Sequence, residues 1–216
     1  MSENNIKAVI FDLDGVIVFT DKFHYQAWKQ MADEIGIYFD EEINNRLRGV
    51  GRMESLEIIL EKYDGEPLTD ECKKILAAKK NDIYRGLLYG MGPEDVTEEV
   101  RDTLAELRNR GYKLSIGSSS KNAKLILRQV RLMDAFDTIS DGTNISNSKP
   151  DPEVFVKAAE YLGMDCHDCL VVEDAWAGID AAKAGHMLAA GIGDAKDYSE
   201  TDYPLKRFSD LLNICK

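Results

Sequence analysis

The chain has 216 residues, the length of one large domain or of a domain with a smaller insert. An apolar fraction of 44% and a charged fraction of 31% describe a soluble globular protein with a sizeable core. The formal net charge of −12 repels polyanions and excludes nucleic acid as a partner, while a few local cations and backbone amides can still hold a small anion.

The first apolar run, residues 6–13, reads as a strand buried on both faces. Residues 20–88 then hold helical patterns and no convincing strand. In 21–35, Phe23, Ala27, Met31 and Ile35 recur at four-residue spacing and stop at Gly36; 53–63 and 69–87 are also helical. Afterwards short apolar runs at 113–117, 137–140, 169–172 and 187–191 alternate with helical patterns at 97–110, 122–132, 152–162 and 176–184. This alternation predicts an α/β fold: a Rossmann-like parallel sheet core, residues 1–18 and 90–216, with an inserted helical cap domain, residues 19–89. Ligands bind beyond the carboxyl ends of such strands, so an insert leaving there is expected to act as a lid.

No window reaches the roughly 18 apolar residues of a membrane span, and the N-terminal stretch is not an apolar leader. A cytoplasmic protein is expected, with no membrane partner and nothing requiring more than a monomer. Cys166 and Cys169 spell C-x-x-C, but no second ligand pair follows at zinc-site spacing, so a chance pair is expected.

The first strand ends in Asp12-Leu13-Asp14-Gly15. Residues two apart on a strand point the same way, and Gly15 permits a turn directly afterwards. Asp and Gly are also ordinary turn formers, so this run alone decides nothing. A later strand ends in Glu173-Asp174, bringing two more carboxylates to the same sheet edge. Carboxylates held together repel and need a cation, and an all-oxygen ligand set suits Mg²⁺. Ser118-Ser119-Ser120 follows another strand and enters a helix, which suits either a phosphate cradle or a helix cap. Lys149, followed by Pro150, lies just before a helix and could neutralise a phosphoryl group.

Asp12 and Asp14, Ser118, Lys149, and Glu173 with Asp174, in this order, resemble the haloacid dehalogenase superfamily of aspartate-dependent phosphotransferases. The resemblance covers essentially the whole chain, and the insert resembles a helical cap. Further segments are similar to the β-phosphoglucomutases of that superfamily: 11–17, His24 and Trp28, 48–52, 79–82, 118–122, 148–150 and 173–179.

The resemblance implies that Asp12 attacks phosphorus and becomes an aspartyl-phosphate, while Asp14 is general acid and base. It implies Mg²⁺ held by the Asp12 carboxylate, the Asp14 carbonyl, Asp174 and Glu173, and a transferring group held by Ser118, the Ser119 N–H and Lys149. Arg52, Ser120, Lys121 and Asn122 match positions for a second phosphate, and Arg48 and Gly49 belong to the same substrate-binding pattern. His24 is expected to couple cap closure to Asp14, and Thr20 to set the hinge. Trp28 suits the sugar pocket or cap packing alike, and Lys80 a sugar contact or a solvated face. Phe19 stands where related mutases carry an acid, and Thr97-Glu98 where they carry Pro-Gly. The expected reaction interconverts β-D-glucose 1-phosphate and glucose 6-phosphate through the 1,6-bisphosphate. The alternatives are a sugar-phosphate phosphatase of the same fold and, from another class, a phosphosugar-binding regulator without turnover.

Overall fold

A computed structural model describes residues 6–47 and 51–216. In chain order the elements are β1 (Ala8–Phe11), α1 (Asp21–Glu34), α2 (Glu41–Asn45), α3 (Arg52–Leu60) and α4 (Asp70–Leu88). After them come α5 (Glu98–Asn109), β2 (Lys113–Gly117), α6 (Ala123–Gln129), β3 (Thr138–Ser140) and α7 (Glu153–Leu162). The chain closes with β4 (Cys169–Glu173), α8 (Trp176–Ala184), β5 (Leu188–Gly191), β6 (Tyr203–Pro204) and α9 (Leu211–Ile214). It divides into two compact units, Met1–Phe19 with Met91–Lys216, and Thr20–Gly90.

In the first unit, six parallel strands form one sheet in the order β3-β2-β1-β4-β5-β6. Period-two side-chain alternation splits its core. Ala8, Ile10, Cys169, Val171 and Ala189 pack with Val154, Phe155, Ala158 and Ala159 of α7 and Ile179, Ala181 and Ala182 of α8. On the other face Phe11 meets Phe208 at 5.7 Å and Phe136 at 6.0 Å between ring centroids. The fold is the expected parallel α/β sheet. It adds β6 and ends α6 at Gln129, three residues before the helical pattern stops. There Arg131 adopts φ 55° and Leu132 N–H bonds back to Leu127 O, turning the chain although no glycine marks the end.

The second unit is helical. α1 runs along α4, and α3 also packs on α4. Its core gathers Trp28, Met31, Ala32, Ile37, Phe39, Ile43, Leu56, Ile59 and Ala77. The Thr69 side chain caps α4 by accepting from Cys72 N–H, and Asp40 caps α2 through Ile43 N–H. No helix among the described residues is long and apolar enough to cross a membrane.

Candidate active site

β1 lies between β2 and β4, so the segments leaving these three strands emerge side by side at one sheet edge. Asp12 immediately follows β1, and its N–H bonds to Val172 O of β4 at 2.9 Å. The chain then folds on itself: Ile17 and Val18 N–H both bond to Leu13 O, and Gly15 N–H bonds to Val18 O at 2.7 Å. Gly15 has φ 82°, and a Cβ there would lie 2.0 Å from Asp174 Oδ2. The turn therefore needs glycine twice over, for its backbone and for the closeness of Asp174.

Glu173, the last residue of β4, is buried. Its Oε2 accepts from Asp174 N–H at 2.9 Å and Ala175 N–H at 3.0 Å, which fixes the carboxylate at the strand end. Gly178 on the first turn of α8 makes room for it, because a Cβ would lie 1.9 Å from Glu173 Cδ. Carboxylate oxygens of Asp12, Glu173 and Asp174 lie within 4.8 Å of one another. The Asp14 carboxylate is outside this trio, though its charge helps raise the pKa of Asp174.

Lys149 Nζ bridges the strands, donating to Asp12 Oδ1 at 2.5 Å and to Glu173 Oε1 at 2.5 Å. Burial raises the Asp12 pKa to about 8, with Lys149 opposing and Glu173 and Asp174 adding to the rise. Burial and Glu173 raise Asp174 to about 7. Burial pulls the Lys149 ammonium down, but Asp12 and Glu173 outweigh it and hold its pKa above the usual lysine value. One ammonium thus faces more carboxylate charge than it can balance. An all-oxygen trio short of positive charge fits a hard divalent cation.

Ser118 follows β2, and its N–H bonds to Ser140 O at 3.0 Å. Its Oγ accepts from Ser120 N–H, and Ser120 Oγ accepts from Asn122 N–H, each at 3.2 Å. The Ser119 Oγ is buried without a hydrogen bond among the described residues. Asn122 is buried and Lys121 exposed. The Cys166 and Cys169 thiols are free, and burial raises Cys169 to about 12, the state of an inert thiol.

The helical unit collects a different group of the expected residues. Lys80, almost fully buried, donates to His24 Nδ1 at 2.9 Å and lies 4.8 Å from the ring centroids of Trp28 and Tyr84. Lysine can only donate, so the His24 proton sits on Nε2. Burial, then the charges of Lys80 and Arg52, lower His24 to about 3. Tyr84 stacks on His24 at 4.1 Å and donates its hydroxyl to Thr20 Oγ1 at 3.0 Å. Arg52 Nη2 donates to Asn81 Oδ1 at 2.9 Å. Thr20, His24, Trp28 and Lys80 thus meet around Tyr84, which sequence reasoning missed. The available signal was its place one turn after Lys80 on α4. Arg48 and Gly49 lie outside the described residues.

A family model of haloacid dehalogenase-like hydrolases matches residues 6–186. The β-phosphoglucomutase of Bacillus subtilis (strain 168) is 42% identical over 207 residues, covering 95% of this chain and 92% of that one. A phosphorylated carbohydrates phosphatase of Thermotoga maritima is 27% identical over 98% of this chain and 99% of its own length. The crystal structure of a β-phosphoglucomutase from Clostridium difficile superposes with a TM-score of 0.84 at 35% identity, covering 95% of this chain and 93% of that one. The chain belongs to the haloacid dehalogenase-like hydrolase family.

Proposed function

We propose that the chain is a β-phosphoglucomutase, which interconverts β-D-glucose 1-phosphate and glucose 6-phosphate. The observation that carries the reading is the Asp12 carboxylate, held at the sheet edge by Lys149 and flanked by Glu173 and Asp174. Similarity to the B. subtilis mutase over nearly the full length of both chains supports the choice of reaction.

The cycle starts from the Asp12 aspartyl-phosphate. Asp14 accepts the proton of the 6-hydroxyl of β-D-glucose 1-phosphate, which attacks that phosphorus; the Asp12 O–P bond breaks, leaving the Asp12 carboxylate and β-glucose 1,6-bisphosphate. The bisphosphate turns over, and Asp12 attacks the phosphorus on the sugar C1 oxygen in line. The Asp12 O–P bond re-forms as the bond from phosphorus to that oxygen breaks, the oxygen takes the proton back from Asp14, and glucose 6-phosphate leaves.

Lys149, the Ser118 hydroxyl and the Ser119 N–H are assigned the transferring phosphoryl oxygens. Ser120, Lys121 and Asn122 are assigned the second phosphate, and Arg52, Arg48 and Gly49 substrate binding. His24, Trp28, Lys80 and Thr20 are assigned to the sugar and to the hinge. The Asp12, Glu173 and Asp174 carboxylates with the Asp14 carbonyl would hold Mg²⁺, which offsets charge on the transferring group when bound.

The test is incubation with β-glucose 1-phosphate, Mg²⁺ and a trace of β-glucose 1,6-bisphosphate. Glucose 6-phosphate is the expected product. Release of free phosphate without glucose 6-phosphate overturns the mutase reading in favour of a phosphatase.

A further inference from the structure

The opposite end of the sheet carries a pair of side chains that phosphoryl transfer does not use. β4 and β5 run in register, with Leu170 opposite Leu188 and Val171 opposite Ala189. Continued backwards, that pairing sets Asp168 level with His186, so the segments entering the two strands bring His167 and His186 together. Their imidazole centroids are 5.8 Å apart with the rings tilted by 31°, and both residues are exposed.

His186 holds its place against a local backbone preference. α8 ends at Gly185; His186 N–H then bonds to Lys183 O and Met187 N–H to Ala182 O, each at 3.0 Å. This is a Schellman end, and His186, with φ 59°, fills its left-handed position, where glycine is favoured for want of a Cβ. The cations nearby are already neutralised: Lys7 pairs with Asp168 and Lys183 with Asp202.

We propose that His167 and His186 form a two-imidazole site for a borderline divalent cation such as zinc, nickel or copper. Imidazole nitrogen suits these ions, whereas the carboxylate trio suits a hard one. With a metal–nitrogen bond of about 2.1 Å, each ring centroid lies roughly 3.3 Å from the ion. Two centroids 5.8 Å apart then subtend about 120° at it, near the tetrahedral and trigonal angles of such centres. Water completes the coordination.

The test uses the full chain without a histidine tag, in excess Mg²⁺ at mildly alkaline pH, titrated with Zn²⁺. Thermal unfolding and equilibrium dialysis are followed for wild type, His186→Gly and His167→Gln. In the wild type, Zn²⁺ at about 100 times its Kd raises Tm by roughly 5–10 °C, with one ion bound. His186→Gly melts above the wild type without Zn²⁺, because the left-handed backbone is relieved, and this checks that it is folded. Both variants lose the Zn²⁺-dependent rise and the bound ion. A rise of wild-type size in His186→Gly, or none in the wild type at millimolar Zn²⁺, overturns the proposal.

Discussion

Gly15 and Asp174 touch across the ends of neighbouring strands, with space for a hydrogen on Gly15 but not for a methyl group 2.0 Å from Asp174 Oδ2. Gly15→Ala adds a clash to a backbone at φ 82°. Displacing the turn by about 1 Å moves Asp12 and Asp14 together, and errors of that size cost on the order of 100-fold in rate. Steady-state kinetics should therefore show a fall of about that size, with Tm lower by several degrees. Wild-type kcat/KM in this variant would contradict the close packing.

Lys149→Ala leaves Asp12 and Glu173 buried without their shared cation. Removing one partner from a buried ion pair costs about 3–5 kcal/mol, so urea unfolding in a chelator should show a loss of that order. Mg²⁺ should restore more stability to the variant than it adds to the wild type, because it answers the same excess of negative charge. Activity should fall at least about 100-fold, the scale for losing a donor to a developing charge. Equal chelated stability of variant and wild type would contradict the pairing.

His24 gives a pH dependence. Its folded pKa is lowered to about 3, against 6.5 for the free side chain. Between these values the unfolded chain binds the extra proton, so stability rises with pH there and falls as pH drops below 6.5. Above 6.5 the contribution is fully present. From pH 6 to pH 4 the effect is about 2 kcal/mol, and His24→Asn should lack that part of the acid loss. Unfolding curves at the two pH values, compared between wild type and variant, provide the check; parallel acid losses would count against a buried neutral imidazole.

Tyr84→Phe keeps the ring stacked on His24 but removes the hydroxyl given to Thr20. A buried hydrogen bond of this kind contributes about 1 kcal/mol, so Thr20→Val should cost about 1 kcal/mol less in the Phe background than in the wild type. A double-mutant cycle in urea measures the coupling, and additive losses would mean that the two groups do not interact.

What the sequence reveals differs from residue to residue. Asp12 and the pair Glu173 and Asp174 end apolar strand runs, and a parallel sheet sends all such ends to one edge, so their convergence follows from local pattern and topology. Gly178 looks like any helix glycine until the Glu173 carboxylate is seen beside it. Tyr84 reads as one apolar position of α4, and only the packing of α1 on α4 brings it to His24 and Thr20. β6 is two residues long and contains Pro204, so neither length nor alternation marks it. The end of α6 is hidden because Arg131 occupies a left-handed position that glycine usually signals, whereas α8 ends at Ala184, just before Gly185, as its pattern indicates.

The central claim is that Asp12 carries the phosphoryl group. Enzyme mixed with radiolabelled β-glucose 1,6-bisphosphate can be acid-quenched within one turnover and split, one portion being digested with trypsin directly and the other after reduction with borohydride. The account predicts a hydroxylamine-labile label on the tryptic peptide spanning residues 8–22, homoserine at position 12 after reduction, and no label in Asp12→Asn. A label that survives hydroxylamine, lies on the Ser118 peptide or persists in Asp12→Asn would contradict it.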